Sequence, residues 1–311
     1  MSFCTQFEKY LQLEKKMEKT NKDYVIFTDT DTDMTPSVAK EYGYNLISMP
    51  YKIGEQEVFP YVDFDNFEAH TFYDELRHGK TPTTFGLSPK AYEDYFEPFF
   101  KAGKDILYVH LSRAMSGTFN SMSVAIENLK AKYPDRTLYT VDTKAITIGS
   151  YNIVREVGEM YVDGKTIQEI LDWAKEEVDK FATYLFVNDL SFFRRSGRVK
   201  SVAAIMGNIF GIRPIINMDS DGLMNPIGKA RGLNGAITKI MEIVDELQDD
   251  ITKHRVIIGH SDCLDTAKML GDKLQAKYGK DLEIEYVEVN PTAGSHCGPD
   301  GVGVCFHAKH R

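Results

Sequence analysis

From residue 24 onward, short apolar runs alternate with stretches of helical periodicity, and this alternation constrains the chain more than any other feature. Tyr24, Val25, Ile26 and Phe27 read as a buried strand, and Thr35-Pro36 then supplies an N-cap and a proline at the first helical position. A second strand is expected over 46–51. A helix is expected from Asp65 through Leu76, stopped by Gly79, and another from Ser88-Pro89 to near Gly103. Next come a strand over 106–111, a Ser/Gly loop, a helix from about Gly117, and a strand over 138–141 ending at Asp142. Thr166 and Glu169 form a capping box for the next helix. Strands separated by helices imply a parallel sheet covered on both faces.

The second half reads differently. A strand over 184–187 precedes a basic loop, and the runs 214–218 and 223–227 flank Asp219-Ser220-Asp221-Gly222, a hairpin signal. Helices at about 233–247 and 265–278 and strands over 255–259, 282–287 and 302–306 complete it. The expected class is α/β: an N-terminal parallel-sheet domain with helices on both faces (24–180), then a C-terminal α+β domain (181–311). Residues 1–23 read as a charged helical extension with Phe7 and Leu11 on one face.

Charge and cysteine content narrow the function. With 37 Lys+Arg against 46 Asp+Glu the net charge is −9, so the chain is a poor general polyanion binder, and no nucleic-acid signature accompanies its basic run. No apolar stretch has membrane-span length, and the N-terminus lacks the pattern of a signal peptide. The cysteines, Cys4, Cys263, Cys297 and Cys305, form no CxxC pair, which fits a reducing cytoplasm.

Ligands of open α/β sheets bind beyond the carboxyl ends of the strands. That rule selects residues 28–33, the loop around Thr84, residues 112–118 and Asp142-Thr143. The acidic run Asp29-Thr30-Asp31-Thr32-Asp33 fails as a calcium loop, because Met34 holds the glycine position and Lys40 the place of the bidentate Glu. Asp31 and Asp33 match a DxDxT phosphatase pattern, but Asp31 lies four residues past Phe27, and an Asx turn with a helix cap explains the same residues. Ser116 lacks the glycines of a hydrolase elbow. It stands at a helix N-terminus, either as a cap or as part of an anion site. Phe192 to Lys200 carries four cations, and residues 294–301 form a turn-rich loop around His296. No spacing of His, Cys or carboxylates suggests zinc.

Taken in order, these segments resemble the DegV family. Its Asp-Ser-Thr-x-Asp-Leu stretch is similar to Asp29-Thr30-Asp31-Thr32-Asp33-Met34, and its Thr-Ser-Gln-Pro-Ser-Pro to Thr84-Phe85-Gly86-Leu87-Ser88-Pro89. Its Ser-Ser-x-Leu-Ser-Gly-Thr loop resembles Ser112-Arg113-Ala114-Met115-Ser116-Gly117-Thr118, and its Val-Asp-Ser resembles Val141-Asp142-Thr143. Its Gly-Gly-Arg-Ile, Lys-x-Arg and His-x-Gly-Pro-Gly are similar to Ser196-Gly197-Arg198-Val199, Lys229-Ala230-Arg231 and the run from His296 to Gly301. Phe85, Gly86 and Leu87 depart from the family's Ser-Gln-Pro.

The resemblance implies a non-enzymatic subunit that binds a long-chain fatty acid, such as palmitate, stearate or oleate, between two domains. It implies that the bound carboxylate is presented to a partner fatty acid kinase of the dihydroxyacetone-kinase-like type. It places Thr84, Ser116 and His296 around that carboxylate, with Asp29, Thr30, Gly117, Thr118 and Gly298 in the supporting loops. Arg198 and Arg231 would lie near the mouth, where the kinase docks. It implies no catalytic residue, metal or cofactor, and a cytoplasmic protein in transient contact with membrane surfaces. The competing readings are a lipid sensor or transporter without a kinase, and a phosphatase using Asp31 and Asp33.

Overall fold

A computed structural model describes residues 23–199 and 211–311; all but the last residue of the helix expected over 1–23, and the end of the basic run at Lys200, lie outside the described residues. Tyr24–Asp29 forms β1. Asp29 Oδ1 accepts the Asp31 N–H at 3.1 Å, an Asx bond that turns the chain through a 3-10 turn closed by Asp33 at φ 57°. Thr35 caps α1 (Pro36–Tyr42), Gly43 ends it in the left-handed region, and β2 (Tyr44–Ile47) returns parallel to β1.

The single strand expected over 46–51 is two. The Met49 N–H donates to the Thr30 hydroxyl at 2.9 Å, and Pro50 has no N–H to continue a ladder, so the chain leaves the sheet after Ile47. Tyr51–Ile53 (β3) then pairs antiparallel with Gln56–Val58 (β4) and later with Thr83–Thr84 (β5) in a separate three-stranded sheet. The helix expected from Asp65 starts later, as α2 (Ala69–Arg77). Phe64 and Phe67 are drawn instead into an aromatic cluster with Phe72 and Tyr73.

The chain continues through α3 (Pro89–Lys101), β6 (Asp105–His110), α4 (Thr118–Lys132) and β7 (Leu138–Asp142). These strands complete an all-parallel sheet in the order β2-β1-β6-β7. One face packs on α3 and α4 through Phe27, Phe96, Tyr108 and Phe119. The other face packs, through Ile26, Leu107 and Val109, on α5 (Thr147–Val162) and α6 (Ile167–Glu177).

Helix α5 has no counterpart in the sequence reading. It is wedged between the two large sheets, with Ile148, Tyr151, Ile153, Val154 and Val157 all buried, so its apolar residues do not confine themselves to one face. Its cluster takes in Ile257 and Cys305 of the second sheet.

That sheet is built from β8 (Phe181–Phe186), β9 (Ile212–Met218), β10 (Met224–Arg231), β11 (Val256–His260), β12 (Ile284–Glu288) and β13 (Val302–His307). Its order is β10-β9-β8-β13-β11-β12, antiparallel except for the β11–β12 pair. The hairpin expected at Asp219–Gly222 joins β9 to β10. Two expected loops are partly helical: α7 (Ser191–Ser196) takes up most of the basic run, where Arg195 stacks over Phe192 at 4.4 Å. Asn290 caps α10 (Pro291–Cys297), which carries His296. Helices α8 (Gly232–Leu247) and α9 (Leu264–Tyr278) cover the far face through Ile237, Ile240, Val244, Leu270 and Leu274. Among the described residues no helix is long and apolar enough to cross a membrane.

Candidate functional site

The two large sheets and the small one enclose a cavity of about 470 Å³, within the range of small-molecule sites. Its apolar lining includes Met49, Leu87, Leu111, Ile146, Ile148, Leu185, Phe193, Met224 and Val302. Three polar residues reach it from separate elements: Thr84 from β5, Ser116 from the loop before α4, and His296 from the last turn of α10.

Thr84 and His296 lie 212 positions apart in sequence, yet Thr84 Oγ1 and His296 Nε2 are 2.9 Å apart. Burial, then the charge of Arg198, pushes the His296 pKa down to about 4, so the ring is neutral at physiological pH. Ser116 Oγ accepts the Thr118 N–H at 3.3 Å, which leaves its own proton to donate. Gly117, the N-cap of α4, and Thr118 also line the cavity. Thr118 Oγ1 accepts the Leu87 N–H at 3.0 Å and bonds Tyr92 at 2.9 Å, tying the 85–87 segment down. Gly86 sits so close that a Cβ there would lie 3.1 Å from Thr118 Cα. The imidazole that a Ser116 nucleophile would need is bonded to Thr84 instead.

Asp29, Thr30 and Gly298 stand one layer behind the lining. Asp29 Oδ2 accepts from the Tyr108 hydroxyl at 2.9 Å and the Leu111 N–H at 3.1 Å, bracing the ends of β1 and β6. Burial outweighs these bonds and raises its pKa to about 7. Thr30 holds Met49, as above. Gly298 has φ 72°, and a Cβ there would meet the Phe192 ring at 2.4 Å, so both backbone and packing require glycine.

Arg198 is exposed and lines the cavity. Arg231 does not: it ends β10, whose first residue, Met224, bridges to Val199 beside Arg198. At about 3.4 Å per residue, the seven steps from Met224 to Arg231 put the two arginines roughly 24 Å apart along that strand. Asp33 is also withdrawn, because its Oδ1 accepts both the N–H and the side-chain amide of Asn290, at 2.9 and 2.7 Å. Sequence reasoning did not assign Ile148 or Thr292 to the cavity wall, and it placed Asp31 in a candidate strand-end loop without a part in holding the fatty acid. The strand-end rule carried a signal for Asp31, and the spacing of Thr292 and His296, one helical turn apart, carried one for Thr292.

A family model described as uncharacterised proteins of the DegV family matches residues 23–309. A DegV domain-containing protein of Clostridium perfringens is 32% identical over 286 residues, 92% of this chain and 97% of that one. Among solved structures, a stearic-acid-binding protein of Eubacterium ventriosum superposes with TM-score 0.79 at 19% identity, over 92% of this chain and 98% of that one. DegV of Bacillus subtilis, a fatty acid binding protein, gives TM-score 0.77 at 23% identity, over 92% and 99%. A Ruminococcus gnavus protein refined with vaccenic acid gives 0.78 at 20%, over 92% and 100%. A match over nearly the whole chain, at both the sequence and the fold level, means that this chain belongs to the DegV family.

Proposed function

We propose that this protein binds a long-chain fatty acid in the cavity between its sheets and presents the carboxylate to a partner fatty acid kinase for acyl-phosphate formation. The observation that carries the reading is the Thr84–His296 pair on the wall of a cavity lined by both apolar and polar side chains, with the free Ser116 proton on the same wall. Structural relatives bound to stearic and vaccenic acid support the ligand class.

The physics of the ligand makes two demands. Each buried CH₂ contributes about 0.8 kcal/mol, so a sixteen-carbon tail offers roughly 11–12 kcal/mol before ordering costs, and an apolar cavity collects it. The carboxylate must keep hydrogen bonds when it leaves water. The hydroxyls of Thr84 and Ser116 supply them: the neutral His296 ring donates its Nε2–H to Thr84 Oγ1, which leaves the Thr84 proton for the head, and the positive end of the α4 dipole helps. Uncharged single donors hold the head without the two-oxygen clamp of an arginine, leaving an oxygen to attack a phosphoryl group. Arg198, exposed at the same end, is the residue we assign to kinase docking, and the free cysteines Cys263, Cys297 and Cys305 fit a cytoplasmic setting.

Native mass spectrometry of the purified protein tests the ligand, with Ser116→Ala expected to lower lipid occupancy. Acyl phosphate formation on adding a fatty acid kinase and ATP tests the presentation. Arg198→Glu is expected to impair that step while sparing lipid retention; an emptied pocket would remove Arg198 from the docking role.

A further inference from the structure

One lining side chain has no part in the reading above. Asp31 faces the cavity from the turn after β1, and its Oδ1 is buried without a hydrogen-bond partner among the described residues. It lies beside Thr292, whose own hydroxyl proton goes to the Met49 carbonyl at 2.9 Å. Thr292 and His296 both line the cavity from α10, one turn or about 5.4 Å apart, with Thr292 on the more buried side.

Three other polar side chains of the wall are turned to the protein itself. Ser261 Oγ accepts the Gly301 N–H at 2.8 Å, and Thr118 is bonded as described. Thr183 also has an unpartnered oxygen, but turns it onto α5, where a Cβ on Gly149 would lie 2.5 Å away. Asp31 stands where the family pattern quoted above has threonine. Burial, then the charges of Asp29 and Asp33, holds its carboxyl well above the usual range. A plain methylene chain laid against it would leave this polar group unpaired, which is unfavourable in a dry site.

We infer that Asp31 and Thr292 form a second polar subsite that takes a hydroxyl on the acyl chain, a few carbons from the carboxylate. The ligand class is therefore a hydroxylated long-chain fatty acid, a 3-hydroxy acid in its simplest form. The inference rests on the carboxylate lying at Thr84, Ser116 and His296. The acyl hydroxyl donates to Asp31 Oδ1, the unpartnered oxygen.

The test is competition between palmitate and 3-hydroxypalmitate for the full-length, delipidated protein, read by native mass spectrometry. The expected result is at least a tenfold preference for the hydroxy acid, lost in Asp31→Val. Stearate against 12-hydroxystearate, with its hydroxyl far from the head, should show no such gain. If palmitate binds as well as its 3-hydroxy form, or if the 12-hydroxy acid gains equally, the subsite is refuted while the fatty-acid reading stands. If neither palmitate nor its 3-hydroxy form binds, the fatty-acid reading itself fails. The wild-type ranking decides the matter even if Asp31→Val does not fold.

Discussion

The room for an acyl tail depends on two missing side chains and one present one. Gly259 and Gly303 face each other across the β11–β13 ladder, and both line the cavity. Ile148 of α5 lies over them: a Cβ on Gly259 would fall 2.5 Å from its Cγ2, and one on Gly303 would fall 3.2 Å from its Cδ1. Ile148→Ala removes most of the side chain that lies over both glycines. Because Ile148 is only 2% exposed, the truncation should cost about 2–5 kcal/mol of stability. The space opened should admit about two further methylenes, each worth about 0.8 kcal/mol, or roughly fourfold in affinity per carbon. Offered a mixture of saturated acids of graded length, the variant should retain longer acids than the wild type in native mass spectra. Gly303→Ala, whose new methyl points into the same space, should shift the profile toward shorter acids. A folded Ile148→Ala protein with the wild-type acyl profile would refute this account of the wall.

Three further outcomes follow from the same geometry. Thr84→Val removes a donor to the carboxylate and the partner of His296, and hydrogen bonds to charged groups are worth about 1.5–3 kcal/mol, so fatty acid affinity should fall about 10- to 100-fold; titration calorimetry with the delipidated protein checks it. Burial raises the Asp33 pKa to about 7, so between the ordinary carboxylate value and about 7 the folded chain holds a proton that the unfolded chain has lost, and stability falls as pH rises. Asp33→Asn keeps the acceptor for Asn290 and cannot ionise, so its melting temperature should decline less than that of the wild type from pH 5 to 7.5; parallel declines would contradict the assignment. Gly298→Ala meets both a positive φ and the Phe192 ring, and should cost about 2–4 kcal/mol in denaturant unfolding.

Much of the scaffold was legible because local chemistry and tertiary structure agree. Thr35-Pro36, Ser88-Pro89 and the Thr166–Glu169 box cap helices where the residues predict them. The strand over 46–51 failed through a long-range bond: nothing local shows that Thr30 will take the Met49 N–H and break the run. Helix α5 was missed because a helix buried on both sides has no polar face to give it a period. The 294–301 run reads as a loop from its glycines, although Asn290-Pro291 is a good helix start whose side chain accepts the Ala293 N–H. At the site, family resemblance named Thr84, Ser116 and His296, which the fold brings to one cavity. Asp31 was picked out by its strand-end loop but given no place on the acyl wall, because an Asx turn has the same local signature whichever way the next carboxyl faces.

The central claim is the seating of an acyl carboxylate among uncharged donors. A crystal structure of the protein saturated with oleate tests it most directly. The account predicts a carboxylate within hydrogen-bond distance of Thr84 Oγ1 and Ser116 Oγ, with the tail running along Leu185, Gly303 and Ile148. Oleate held by Arg198 with its tail outside the cavity, or a cavity filled by ordered water alone, would contradict it.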